Sequence, residues 1–175
     1  YNAVPVVCGG VLGAFWQLFV MMGVHSAMLP IILNNLTTLG YCPVNAILGL
    51  TVWALAGVAL GYALKVKDGE TRATAFGTMA SALCGITEPV LFGVTMKIRT
   101  NMIAAMAGGG VGGFFMGLMN TKNYSGGSPG LLTLPSYIGL DTPMSNFYYA
   151  CAGAAIAFVV AFIVSFVLFR DEKKN

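Results

Sequence analysis

The sequence predicts an all-α polytopic membrane protein, and two observations support this: its composition and the length of its apolar stretches. Of the 175 residues, 57% are hydrophobic and only 9% are charged, whereas soluble domains carry about 25% charged residues. A soluble chain of this length has too little interior to hide so much apolar surface from water. Stretches of about 20 apolar residues, enough to cross a bilayer as a helix, recur along the chain.

Four of these stretches are predicted to be transmembrane helices. They are residues 11–33, 43–64, 101–119 and 145–169. The third is rich in glycine, with the run GGGVGG at 108–113. Glycines of this kind let helices pack closely inside membrane proteins, and the Met, Phe and Ile residues between them argue against a flexible loop.

Two further stretches, residues 78–94 and 125–140, are apolar but interrupted. The first contains Gly85 and Pro89, and the second contains Pro135 and several glycines. Each is too broken for a plain spanning helix and too hydrophobic for an ordinary loop. Because irregular backbone persists at membrane depth only when it is buried in protein or lines a cavity, the sequence predicts two re-entrant hairpins.

The basic residues support this topology. If the chain starts in the cytoplasm and each hairpin returns to the side it entered from, eight of the nine Lys and Arg residues are cytoplasmic. Only Lys122 is then outside, and the C-terminus with Arg170 is inside. A full crossing at 78–94 would instead put Lys97 and Arg99 outside, against the excess of basic residues that cytoplasmic loops carry.

Glu88 is the one acidic residue that lies within an apolar stretch. An ionisable group at membrane depth is costly, so it usually faces a cavity, a partner or a substrate. Pro89 leaves backbone groups beside it free of helical hydrogen bonds. The sequence therefore predicts a polar-ligand site at Glu88; the alternative is a structural role, with the carboxylate satisfied by a helix end or by an Arg elsewhere.

Few other residues are candidates for binding or catalysis. His25 is the only histidine, and its imidazole can bond a sugar hydroxyl or a carboxylate, or can simply pack. The four cysteines show no metal-ligand spacing, and no cofactor-binding motif occurs, so neither a metal nor a cofactor is expected. The scattered basic residues do not indicate a nucleic-acid partner.

The run GITEPVLFGV at residues 85–94 resembles a known signature. It is similar to that of the membrane enzyme IIC component of bacterial phosphoenolpyruvate-dependent sugar phosphotransferase systems (PTS), in the β-glucoside, sucrose and trehalose branch of the glucose superfamily. The GVH motif at 23–25 with Pro30, and GGSPGL at 126–131, fit the same pattern. Ser26 follows His25 where family members often carry a bulky or polar residue. The resemblance covers essentially the whole chain.

The resemblance implies a homodimer in the bacterial inner membrane, with about ten transmembrane helices and two re-entrant hairpins in each subunit. Residues 1–175 are then a partial IIC domain, its C-terminal half, with about four of those helices and both hairpins. The reactive-cysteine motif of a IIB domain is absent, so no IIA or IIB domain is expected here. Whether those domains are fused to this chain stays open.

The resemblance also implies a function. The chain would help bind a glucoside or disaccharide, carry it across the membrane lipid and present it to a phosphocysteine on IIB, which IIA and, indirectly, the phosphocarrier HPr supply. It would thus be the translocating part of a protein-phosphocysteine–sugar phosphotransferase. Glu88, His25 and Thr87 would contact the sugar, and Glu88 would also serve catalysis by orienting or activating the attacking hydroxyl.

Two other functions compete with this one. A secondary sugar transporter or channel could use Glu88 as a proton or ion site, which broken helices also suit. Further intramembrane acids or an inverted repeat would favour it, and the sequence shows neither. A membrane scaffold without transport activity is the third hypothesis, but it gives the buried carboxylate no purpose.

Overall fold

The computed structural model describes residues 4–127, 129–139 and 143–169, and most of them are helical. The α-helices are α1 (Pro5–Met21), α2 (Met28–Leu39), α3 (Pro43–Lys65), α4 (Gly69–Leu83), α5 (Glu88–Val90), α6 (Arg99–Leu118) and α7 (Ser145–Leu168). Short 3-10 helices span Val24–Ala27 and Leu131–Tyr137, and a π-helical turn, Leu91–Thr95, continues α5. The described part of the chain is thus all-α, as predicted.

Three helices, α3, α6 and α7, are long and apolar enough to cross a membrane, and they match the predicted spans over 43–64, 101–119 and 145–169. The prediction of one continuous helix over 11–33 differs from the structure. The chain bends by 119° between α1 and the segment Val24–Leu39. The bend lies at Gly23, whose φ of 74° is a left-handed conformation that costs glycine little and ends the helix.

The glycines of α6 bring it into backbone contact with α1. Gly9 and Gly13 of α1 face Gly113 and Gly109 of α6, and a Cβ on any of the four would collide with a carbonyl oxygen of the opposing helix. Small residues four apart form the close helix contacts common in membrane proteins. The prediction that this glycine-rich segment is a packing helix is confirmed.

α6 also packs against α7 and α3 at the centre of the bundle. A Cβ on Gly108 would meet the carbonyl oxygen of Ala157 at 2.5 Å, and one on Gly112 would meet the Ala157 methyl at 2.8 Å. At one end of the bundle, the Ser165 hydroxyl donates hydrogen bonds to the Val58 carbonyl and to the Asn101 side-chain oxygen. The end of α3, the start of α6 and the end of α7 therefore meet there.

The described basic residues separate between the two ends of this bundle. Lys65 ends α3 and Arg99 begins α6, so both lie at the end marked by Ser165. Lys122 lies at the opposite end, where Cys42, just before α3, forms an antiparallel bridge with Asn123. This separation is what the predicted topology requires. The predicted cytoplasmic tail with its three basic residues lies outside the described residues.

Candidate functional site

Residues 69–95 form a helical hairpin around Glu88. Its entering arm is α4, 15 residues and so roughly 22 Å long. The arm begins at Asp68, whose carboxylate accepts a hydrogen bond from the Thr71 amide at 2.8 Å, as an N-cap does. Its returning arm is α5 with the π-helical turn. A hairpin shape therefore occurs where 78–94 was predicted to be re-entrant, while its entry into the membrane stays a prediction.

The turn between the two arms is built around Gly85. Its φ is 96°, its amide donates to the Ala82 carbonyl at 2.8 Å, and the Ile86 amide donates to the Ser81 carbonyl at 3.0 Å. This pair of bonds is the Schellman motif, which places a left-handed glycine just past a helix end. The Ser81 hydroxyl also donates to the Ile86 carbonyl at 3.2 Å. The carbonyl and the hydroxyl of Ser81 therefore both stabilise the turn.

Glu88 begins the returning arm, and Pro89 follows it in the first turn. Proline suits this position because the amide it lacks would have no helical acceptor there. The arm is anchored by Val90, Leu91 and Val94, each at most 1% exposed. These contacts fix the backbone that carries Glu88.

The Glu88 side chain itself is exposed on the surface of the described chain. Two apolar residues near it in sequence, Ile86 and Phe92, are also exposed, by 56% and 53%, and Thr87 beside it is half-buried. Within the described residues, the Glu88 carboxylate forms no hydrogen bond or ion pair. A well-anchored backbone therefore presents the Glu88 carboxylate at the surface of the described chain.

His25 lies at a different place, in the joint between α1 and α2. Its ring stands edge-on to Trp16, with the ring centroids 6.5 Å apart, and the residue is exposed. In the part of the chain that the structure describes, neither a hydrogen bond nor a ring contact joins it to Glu88. Thr87 and Glu88 are therefore adjacent in one turn, and no contact in the described chain links His25 to them.

A buried amide secures the returning arm, and sequence reasoning missed it. The Asn101 side-chain nitrogen donates to the Val94 carbonyl of the π-helical turn at 3.2 Å, and its oxygen accepts from Ser165 at 3.1 Å. Asn101 is fully buried. π-helical turns are frequent at functional sites, and a lone Asn at the start of an apolar helix was the signal available.

Further amides hold the second predicted hairpin, of which residues 128 and 140 lie outside the described ranges. The Asn123 side-chain oxygen accepts from Asn45 at 3.1 Å, and its nitrogen donates to the Ser136 hydroxyl at 2.7 Å. The Tyr137 hydroxyl donates to the Ala46 carbonyl at 3.0 Å. The segment is therefore tied to the first turns of α3.

Asn146, at the start of α7, ties the same segment to the end of α6. Its side-chain nitrogen donates to the carbonyls of Lys122 at 2.9 Å and Tyr137 at 2.6 Å, and its oxygen accepts from the Lys122 amide at 2.9 Å. The three groups that bond the Asn146 side chain are all backbone groups, so the residue types at those positions do not indicate these bonds in the sequence. Sequence reasoning gave Asn45, Asn123 and Asn146 no role.

Metal ligation is not supported by the described residues. Among them, no three His, Cys, Asp or Glu side chains lie close enough together to hold an ion. Cys84 is exposed beside the turn, and Cys42 is buried. The Glu88 carboxylate and the Thr87 hydroxyl can form hydrogen bonds with a ligand, and the carboxylate can also accept a proton.

Comparison with curated proteins gives a consistent set of relatives. The chain is 32% identical over 174 residues, 98% of its length, to a "PTS system beta-glucoside-specific EIIBCA component" of Dickeya chrysanthemi. It is 34% identical over 180 aligned residues, 100% of its length, to a sucrose-specific EIIBC component of Bacillus subtilis (strain 168). An arbutin-, cellobiose- and salicin-specific EIIBC component of Escherichia coli (strain K12) is 33% identical over 92% of the chain.

The chain spans only part of each of these relatives. It covers 28% of the Dickeya protein, 38% of the Bacillus sucrose protein and 34% of the Escherichia protein. No protein-family profile and no solved structure matches it. The similarity therefore identifies a segment common to proteins that are about three times as long.

Proposed function

Because the chain belongs to the enzyme IIC family of PTS membrane components, in the β-glucoside and sucrose branch, we propose that it helps to bind and translocate a sugar during phosphorylation-coupled uptake. The observation that carries this proposal is the turn at Gly85, which presents the Glu88 carboxylate on a fixed backbone. A carboxylate without a partner in the described chain is suited to accept hydrogen bonds from sugar hydroxyls. Such charge-assisted bonds are stronger than neutral ones.

A glucoside or a glucose-containing disaccharide is the proposed substrate class. The relatives named for β-glucosides, sucrose, arbutin, cellobiose and salicin support it. Glu88 and Thr87 would bind hydroxyls from the hairpin turn, and His25 would add a contact from the joint between α1 and α2. If the exposed side chains of Ile86 and Phe92 flank the bound sugar, they would exclude water and strengthen the bonds to Glu88.

The proposed catalytic role of Glu88 follows from its position beside the bound sugar. A sugar hydroxyl held by the carboxylate attacks the phosphorus of a phosphocysteine on a IIB domain. The new O–P bond forms as the S–P bond breaks, the cysteine leaves as thiolate, and the hydroxyl proton passes to Glu88. Orientation and proton acceptance are the contributions expected of a positioned carboxylate.

The assembly around this segment is part of the same proposal. IIB and IIA domains, fused or separate, would be the phosphoryl donors, with HPr supplying IIA, and two IIC domains would form a homodimer in the inner-membrane lipid. The end of the bundle with Lys65 and Arg99 would face the cytoplasm, and so would the C-terminus. The excess of basic residues at that end supports this orientation.

Uptake in intact cells that express the full-length protein tests the function. Radiolabelled salicin, arbutin, cellobiose and sucrose are supplied with and without a working phosphoenolpyruvate phosphorelay. We expect one or more of them to accumulate as a phosphate only when the relay is intact. Entry of unmodified sugar regardless of the relay would favour a secondary transporter, with Glu88 as an ion or proton site.

The site assignment has its own test, Glu88→Gln in the full-length protein. Loss of the charge should weaken binding of the transported sugar by roughly 1–3 kcal/mol, as expected for a lost charged hydrogen bond, without loss of the fold. Glu70→Gln is the matched control, because Glu70 is an exposed glutamate in the first turn of α4. Equal sugar affinities of the two variants would refute the assignment.

A further inference from the structure

The backbone at Gly130, in the second predicted hairpin segment, closely approaches the turn that precedes Glu88. Gly130, which is buried, lies against the end of α4 and the turn at Gly85. A Cβ on Gly130 would lie 2.8 Å from the Leu83 carbonyl oxygen, 2.9 Å from the Gly85 amide nitrogen and 3.1 Å from the Gly85 Cα. All three are backbone atoms of the turn that carries Glu88, and none can swing aside as a side chain would.

The backbone of Gly130 is itself restricted to glycine. Its φ of 153° with ψ of −173° lies in a region that residues with a Cβ almost never adopt. Gly127 in the same segment is different, because a Cβ there would be 3.5 Å from the Thr133 methyl, an ordinary contact. Of these two glycines, only Gly130 closely approaches the turn that precedes Glu88.

The segment that carries Gly130 is firmly mounted on the bundle. Ser136 and Tyr137, at the end of its 3-10 helix, are bonded to Asn123 and to the Ala46 carbonyl of α3. The Thr133 amide and hydroxyl both bond the Gly130 carbonyl, at 3.3 and 3.0 Å. A continuous set of contacts therefore runs from α3 through this segment to Gly130.

We propose that Gly130 is a positioning residue for Glu88: its backbone supports the turn at Gly85 and so fixes where the carboxylate meets the sugar. Gly130 touches neither sugar nor phosphoryl group in this proposal, which rests on the proposed function of Glu88. Displacement of a catalytic group by about 1 Å can lower rates by about a hundredfold, so a small shift of this turn is enough to matter.

The test is a double-mutant cycle in the full-length protein, with binding of the transported member of the sugar panel as the readout. Gly130→Ala, Glu88→Gln and the double variant are compared, with Gly127→Ala as the matched control. We expect Gly130→Ala to raise the Kd by about tenfold and Gly127→Ala to leave it within about twofold, which is ordinary for a substitution away from such features. In the Glu88→Gln background, Gly130→Ala should lose most of its effect, because it acts mainly through Glu88 and only the Thr87 contact from the same turn remains.

Fully additive losses would overturn the proposal, since a purely structural role weakens binding whether or not the carboxylate is present. An unchanged Kd for Gly130→Ala would overturn it too. If Glu88→Gln alone leaves the Kd unchanged, the proposed function fails instead, so the two failures are distinguishable. Should Gly130→Ala not fold, Tyr137→Phe replaces it in the same cycle, because it loosens the mount of the segment and leaves the turn contact in place.

Discussion

Two glycines of α1, Gly13 and Gly10, differ in how closely they approach α6, so their replacement by alanine should affect stability differently. A Cβ on Gly13 would collide with the Gly109 carbonyl oxygen and lie 2.8 Å from its carbonyl carbon, whereas a Cβ on Gly10 would have 3.7 Å to its nearest neighbours. Replacing either glycine by Ala gains about 0.5–1 kcal/mol of helix stability. Only Gly13→Ala must also push two backbones apart, at a cost of about 1–3 kcal/mol.

Because the gain in helix stability is common to both variants, their difference isolates the packing cost. Gly13→Ala should be about 1–3 kcal/mol less stable than Gly10→Ala. The full-length protein is purified in mild detergent, and its unfolding is followed by intrinsic fluorescence as a harsher detergent is added. Equal midpoints for the two variants would refute the close packing of α1 on α6.

Two further predictions concern the buried amide and the topology. Asn101→Leu should lower the free energy of unfolding by about 1–3 kcal/mol, because the buried Val94 carbonyl loses its hydrogen-bond donor. The same fluorescence measurement checks this. An unchanged midpoint would show that the π-helical turn does not need this bond. Lys97→Cys and Lys122→Cys should be labelled by an impermeant maleimide from opposite sides of the membrane, Lys97→Cys from the cytoplasm. Labelling of both from one side would contradict the predicted topology.

Patterns local in the sequence were sufficient to predict α3, α6 and α7, because each is an unbroken apolar run of spanning length. The bend at Gly23 was not predictable in this way, since a glycine within an apolar run is equally compatible with a continuous membrane helix. The amide contacts were missed for a different reason. Asn45 and Asn123 are 78 residues apart, and nothing in either local sequence specifies the other as its partner.

The amides also sharpen the interpretation of Glu88. The side chains of Asn45, Asn101, Asn123 and Asn146, all buried or half-buried, find hydrogen-bond partners within the described chain. The fold is thus able to satisfy amide groups even where their partners are distant in sequence. For the exposed Glu88 carboxylate, the described residues supply no hydrogen-bond partner, although a carboxylate is costly to leave unpaired in an apolar setting. If the hairpin enters the membrane as predicted, we expect the Glu88 carboxylate to be paired by a group outside the described chain. A permanent ion pair with another part of the protein would make Glu88→Gln destabilising with or without sugar, whereas a sugar ligand would make the loss appear only in binding.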